Sequence, residues 1–504
     1  MARTAARLRS ARVPPATSFQ DCPMTLSDTA RPIWQWSAPA TAAAIRDGDI
    51  SAAEAVEAHS ARMDAANPAL NAVVIDLRED ARAAAAQADA DRAGGKPLGA
   101  LHGVPVTVKI NVDFKGQANT NGIAAFQDVI APDDSPVVAN LRKAGAIVLG
   151  LTNTPEFSFR AFTDNPLHGP TKNPWSPLHN PGGSSGGGGA AVAAGIGAIA
   201  HGNDIGGSLR FPAWTNGLAT IKPTLGRVPA YNPSAPAERP LMAQLMSVQG
   251  PMAREVASVR LGLQAMAARD WRDPFWCPVP LEGVPLEGPA PERPIRVLYA
   301  QPDDDMDCDP AVMAQLDAAA AMLADAGYAV EKGPAPRLKE TWQMWTDILM
   351  AEVQTMQREI IDRVATPALT DTLDAYLAFS NRLDLKGYMT AIAQRSRHVR
   401  EWMAQLEETP LILTPASVQP VNLLNEDLQG PQRVYEIFTA ARFISALNLL
   451  GLPCAIAPVG TLNGLPNACQ IVASRFREDL ALDAAQAIED RVGVLCRELW
   501  AREG

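Results

Sequence analysis

Three side chains far apart in the sequence have the types and surroundings to do chemistry together. Ser208 stands in "GNDIGGSLRFPA" behind Gly206 and Gly207. Paired glycines before a serine permit a tight turn with several backbone N–H groups aimed at one point, as an oxyanion site requires. Ser184 and Ser185 stand in "NPGGSSGGGGAAVAAG", Asn180 to Gly195, where seven of sixteen residues are glycine. Lys109 closes the short apolar run "GVPVTVKI". A lysine at the end of a buried strand is desolvated, which disfavours its ammonium form and leaves an amine able to take a proton near neutral pH. A nucleophile, a base and an oxyanion site are the parts of acyl transfer.

Rival readings of these residues are weaker. A linker joins separable modules, but the glycine stretch runs directly into the helical pattern "AAVAAGIGAIA". A phosphate cradle would end in Lys followed by Ser or Thr, and that ending is missing. The six histidines, His59, His102, His168, His179, His201 and His398, raise a Ser-His-Asp alternative, with His201 and Asp204 near Ser208. No strand-framed GxSxG turn accompanies them.

The elements that must hold these residues alternate between helix and strand. Helical spacing runs over Ala42–Met63 and Asp76–Ala93, the second stopped by Gly94 and Gly95. "GVPVTVKI" reads as a buried strand, and "SPVVANLRKAGAIVLGLTN" as helix, glycine turn and strand. From Leu225 to Glu292 proline and glycine are dense, so surface loops are expected, broken by one helix near Val256–Ala268. Strands follow at "RPIRVLYA" and "YAVEKG" around a helix at Ala311–Ala326, then helices over Lys339–Val364 and Tyr388–Glu407. The strand-like runs "PLILTPAS" and "LPCAIAPVG" bracket a helix at Arg433–Leu450, and a last helix begins at Leu480. Strands near both ends point to one sheet shared by the whole chain, an α/β fold.

With 504 residues, 47% hydrophobic, the chain can bury a large core. A formal net charge of -11 argues against nucleic-acid or membrane surfaces, which need clustered Lys and Arg; small neutral or apolar partners fit better. Cys22, Cys277, Cys308, Cys454, Cys469 and Cys496 show no CxxC spacing and read as reduced thiols. Residues 1–30 carry Arg3, Arg7, Arg9 and Arg12 without an apolar run of signal-peptide length; a disordered or non-native extension is expected there, with Met24 an equally good start. A cytoplasmic location is expected.

The segments around Lys109, Ser184 and Ser208 resemble, in order and spacing, the three catalytic segments of the amidase signature family. Further matches run through "LGLTNTPEF", "GPTKNPW", "IKPTLGRVP", "GPMAREV", "LILTPAS" and "GLPCAIAPVG", so that the resemblance covers about residues 35 to 490. It implies a single α/β/α domain over 31–504 with one large mixed, mostly parallel sheet. It also implies a Ser-cisSer-Lys triad: Ser208 as nucleophile, Ser184 as bridging serine after a cis peptide from Gly183, and Lys109 as base. Backbone N–H groups of Ile205, Gly206, Gly207 and Ser208 would form the oxyanion hole, with Ser185, Asn203 and Asp204 in support. Such chemistry needs no metal and no organic cofactor. Asn203 stands where Ser or Thr is common in the family, Gly188 where a small hydroxyl residue is common, Ile110 where Asp is frequent, and Asn216 where many relatives have Cys.

The implied activity is hydrolysis of small amides, apolar or aryl, and by extension esters, carbamates or lactams, with water as second substrate and a monomer or homodimer as the working form. The glutamine-hydrolysing component of a tRNA-dependent amidotransferase, feeding ammonia to a partner, is a second reading; the stretch after "GRVPA" lacks the acidic glutamine-reading segment of that branch. A catalytically inactive scaffold on the same fold is a third. The run "TWQMWTDILMAEVQTMQ" puts Trp342, Trp345 and Leu349 on one helical face, which packs a core by default. Because the family lines its substrate pocket with variable helical segments, 339–407 is the expected pocket wall, with Ser158, Phe159 and Trp345 as substrate-binding candidates.

Overall fold

The computed structural model describes residues 31–281 and 292–502; the expected extension over 1–30 lies outside the described residues. Eleven strands form one sheet: β1 (Val73–Asp76), β2 (Pro105–Lys109), β3 (Ile147–Thr152), β4 (Ile199–Asp204), β5 (Ala219–Lys222), β6 (Val248–Ala253), β7 (Arg296–Gln301), β8 (Ala329–Pro334), β9 (Leu411–Pro415), β10 (Cys454–Leu462) and β11 (Leu465–Ala473). Their order across the sheet is β1-β3-β2-β4-β6-β5-β10-β11-β9-β7-β8. Strands from both ends of the chain therefore share one sheet, as the sequence pattern implies.

Alternating side chains build the two apolar layers. Leu298, Ala300, Ile412, Ile456 and Val472 join one core on one face, packed under the helices Arg210–Asn216, Leu338–Glu352 and Arg442–Leu450. Val297, Tyr299, Leu411, Leu413 and Ile471 join a second core on the other face, under Val256–Met266, Pro310–Asp325 and Glu478–Val492. Successive strand residues point to opposite faces, so one strand serves both cores. The result is the expected α/β/α sandwich.

The sheet is mixed, but the expectation that it is mostly parallel is corrected. Parallel pairing is limited to β2 with β3 and β4, and to β7 with β8 and β9. The run β4-β6-β5-β10-β11-β9 between them is antiparallel throughout. Antiparallel neighbours need no crossover helix. The sequence pattern points to a single strand near Leu452–Gly460, whereas the chain there forms a hairpin, β10 and β11, with Leu462 opposite Leu465 across Asn463 and Gly464. Asn-Gly between apolar runs is a strong two-residue hairpin signal.

Helix boundaries also shift. The predicted helix over Ala42–Met63 is two, Ala38–Asp47 and Ala52–Leu70, the second opened by a capping box between Ser51 and Glu54. The predicted loops of 225–292 contain β6 and the short helix Leu241–Met246 besides the expected helix, here Val256–Met266. Among the described residues no helix is long and apolar enough to cross a membrane, and the five described cysteines are free thiols.

Candidate active site

β2 and β4 lie side by side and parallel, with Val106 opposite Ile199 and Thr107 opposite Ala200, so their carboxyl ends emerge together. Open α/β sheets present ligand sites beyond those ends. Lys109 is the last residue of β2, and Asn203 and Asp204 close β4. Lys109 is fully buried; its Nζ donates to Ser184 Oγ at 2.7 Å and to Asn203 Oδ1 at 2.8 Å. Burial pushes its pKa well below the ordinary lysine range, against the opposing pull of the Asp204 carboxylate.

The Gly183–Ser184 peptide is cis. A Cβ on Gly183 would lie 2.5 Å from the Ala161 carbonyl carbon and 2.6 Å from Arg160 O, so only glycine lets this turn pack against the 160–162 backbone. Ser185 ties the turn to the end of β4: its N–H donates to Ser208 O at 3.3 Å and its hydroxyl to Asn203 O at 3.4 Å. Lys109, Ser184, Ser185, Asn203 and Ser208 thus meet in one place, 99 residues apart at the extremes of the chain that supplies them.

Asp204 is the anchor of the turn that carries Ser208. Fully buried, it accepts from Gly207 N–H at 2.7 Å, from Leu209 N–H at 3.2 Å, and from Arg210 Nε and Nη2 at 3.0 Å each. Asn448 Nδ2 adds a bond at 2.8 Å, while Arg210 reaches Gln470 Oε1 at 2.8 Å and Asn448 Oδ1 at 2.6 Å. Arg210 holds the Asp204 carboxyl down to about 2 against the upward pull of burial. Gly207 therefore needs correction as an oxyanion donor: its N–H is already given to Asp204. Ile205, Gly206 and Ser208 are the other residues of the expected set in this turn.

His201 does not build the rival triad. Its Nε2 bonds Gln249 Oε1 at 2.7 Å, burial lowers its pKa to about 4, and Asp204 is engaged by Arg210 instead. Among the described residues no three or more His, Cys, Asp or Glu side chains are grouped as a metal site would need.

Of the substrate-binding candidates, Phe159 is half-buried against the larger core, and Ser158 is held in a polar cluster by Asn111 Nδ2 at 2.9 Å and Asn121 Oδ1 at 2.7 Å. Trp345 is only 4% exposed. Its Nε1 donates to Ile205 O at 2.8 Å, and a Cβ on Gly206 would lie 2.5 Å from its Cζ2. The indole therefore packs against the turn that carries Ser208 and holds it through Ile205. Trp345→Phe, which keeps a ring and loses the N–H, should lower kcat roughly five-fold, the worth of about 1 kcal/mol of hydrogen bond. Steady-state rates on a small and a bulky acyl group should fall together; a loss confined to KM for the bulky one would make Trp345 a wall of the acyl pocket instead.

Sequence reasoning missed Asn111, Arg210, Asn448 and Gln470. Only Arg210 leaves a local trace, as the cation two residues after Ser208 in "GGSLRFPA". Asn216, in place of the cysteine of many relatives, ties Pro181 O and Pro212 O through Nδ2 at 2.7 and 2.8 Å, and so holds the glycine-rich turn to the helix after Ser208.

A family model described as Amidase matches residues 54–482. The chain belongs to the amidase signature family. It is 56% identical over 470 residues to an indoleacetamide hydrolase of Bradyrhizobium diazoefficiens, covering 93% of this chain and 89% of that one. The glutamyl-tRNA(Gln) amidotransferase A component of Synechococcus sp. (strain CC9605) is 30% identical, with 89% of this chain and 95% of that one covered. The solved structure of a bacterial aryl acylamidase of the amidase signature family superposes with a TM-score of 0.79 at 26% identity, over 94% of this chain and 99% of that one. This amidase signature protein is a hydrolase of amide C–N bonds acting on small amides with water.

Proposed function

We propose that this chain hydrolyses primary arylacetamides, indole-3-acetamide foremost, through Ser208, Ser184 and Lys109. The observation that carries the reading is the dry contact of Lys109 Nζ with Ser184 Oγ at 2.7 Å, beside a serine turn held by Asp204. Neutral Lys109 takes the Ser184 proton as Ser184 takes that of Ser208, and Ser208 Oγ attacks the amide carbonyl. N–H groups of Ile205, Gly206 and Ser208 receive the oxyanion. The proton then returns through Ser184 to the leaving nitrogen, ammonia departs, and an acyl-enzyme remains on Ser208. Water enters along the same proton path and releases the arylacetate.

The choice of acyl group rests on the 56% identity to the indoleacetamide hydrolase, against 30% to the amidotransferase component. The purified chain should release ammonia from indole-3-acetamide with a kcat/KM at least about a hundred-fold above that for glutamine, a gap of about 2.7 kcal/mol in transition-state binding. Comparable rates on glutamine, or its hydrolysis alone, would move the chain to the amidotransferase reading.

A further inference from the structure

Lys109 has two partners, Ser184 and the carboxamide of Asn203. A neutral amine has two N–H donors and one lone pair. Asn203 Oδ1 accepts one N–H; to take a proton the amine turns its lone pair to the Ser184 hydroxyl, which here accepts from Nζ. Were the carboxamide turned over, its NH2 would donate to that lone pair and Lys109 could take no proton from Ser184. A carboxamide has two unlike ends, so an asparagine here needs a partner that settles its orientation.

Asn111 supplies that. Its Oδ1 accepts from Asn203 Nδ2 at 2.8 Å, and its Nδ2 approaches Asn203 Oδ1 at 3.3 Å, a paired amide contact. The same Nδ2 donates to Ser158 Oγ at 2.9 Å. Ser158 gives its one proton to Asn121 Oδ1 at 2.7 Å, so it can only accept from Asn111, and Thr154 Oγ1, 2.9 Å away, must donate to it as well. Asn111 therefore cannot turn over without losing the Ser158 bond and setting two NH2 groups face to face. Ser158 sits at φ +57°, behind Phe157 at +51°, in the left-handed region that non-glycine residues seldom adopt.

We propose that Asn111 is a positioning residue that, backed by Ser158, locks the Asn203 carboxamide with its oxygen toward Lys109. This rests on the reading of Lys109 as the base. The charged and titratable groups around Lys109 are Asp204 and His201 on β4, with Arg210 neutralising Asp204; Asp113, two residues from Asn111, is bonded to Asn119 and Ser234.

The test is steady-state amide hydrolysis from neutral to alkaline pH, with melting temperatures, for Asn111→Leu, Asn111→Asp, Ser158→Ala and Lys109→Met. Asn111→Leu should lose roughly ten- to hundred-fold in kcat, part of what a positioned proton-transfer group contributes, with KM unchanged. Asn111→Asp still accepts from Asn203 but sets a carboxylate near the amine, which favours the ammonium form. Its activity should be low at neutral pH and recover at alkaline pH, a shift that mere loosening of the fold would not give. Ser158→Ala should lower kcat in the same direction, and the loss should not add to that of Asn111→Leu. Should Asn111→Leu melt early, Asn111→Asp decides: recovery at alkaline pH supports the proposal, and a loss equal at every pH overturns it. Wild-type kcat and pH profile in both Asn111 variants overturn it too. If Lys109→Met keeps the wild-type pH profile, the base reading and this inference fall together; if it loses that profile while the Asn111 variants keep it, this inference alone falls.

Discussion

Ser208→Ala is expected to abolish turnover while leaving the protein folded. The variant removes the atom proposed to bond to substrate, and for a serine nucleophile of acyl transfer that loss is on the order of a million-fold. The turn itself does not depend on the hydroxyl. It is fixed by Asp204 gripping the N–H groups of Gly207 and Leu209, and by Ser185 N–H on Ser208 O, all of which the variant keeps. Melting temperature should therefore be unchanged, and labelling by a serine-directed fluorophosphonate should disappear. Acyl-enzyme detected by mass in Ser208→Ala would place the nucleophile elsewhere, and retained labelling would do the same.

The second large effect is at Lys109, where the sign of the pH dependence follows from burial. A lysine of ordinary pKa, about 10.4, is almost wholly charged at neutral pH and cannot act as a base. Here burial lowers the pKa well below that range, so the neutral, active fraction rises as pH rises through the lowered value. Activity should climb with pH along one ionisation and then level. Lys109→Arg should be inactive throughout, because guanidinium does not give up its proton and has no room in a site with no solvent exposure. Lys109→Met should lose about a hundred- to ten-thousand-fold, and its residual rate should be flat across that ionisation. Substantial activity in Lys109→Arg would mean that another group takes the proton.

Lys109, Ser184 and Ser208 were legible in the sequence because each sits in a local string whose neighbours declare its surroundings: an apolar strand end, a glycine-dense turn, and a glycine pair before a serine. Asn111 and Arg210 were present beside or within those same strings without being readable. What they do depends on partners brought in by the fold, Ser158 for one and Asn448 and Gln470 for the other. Gly207 shows the reverse error, since its position in the turn implied a free N–H that a carboxylate three residues earlier occupies. β11 was hidden because Pro466 and Asn467 interrupt its opening and demote it as a strand, although the Asn463–Gly464 turn before it was in plain view. The helix Pro367–Phe379 was passed over between two longer patterns, yet Thr366 and Pro367 form an ordinary helix start.

The knot around Arg210 also sets an order of events during synthesis. Its guanidinium is fully buried and is satisfied by Asp204, six residues behind, and by Asn448 and Gln470, 238 and 260 residues ahead. Until that distant stretch has left the ribosome, the cation has no dry place to go and Asn448 is not there to close the turn. Serine, bridging serine and lysine are all translated in the first half of the chain, but the turn that presents Ser208 is completed by residues near its end. A chain cut before Asn448 therefore lacks the partners that Arg210 and Asp204 have here, and the turn that carries Ser208 loses that part of its anchor.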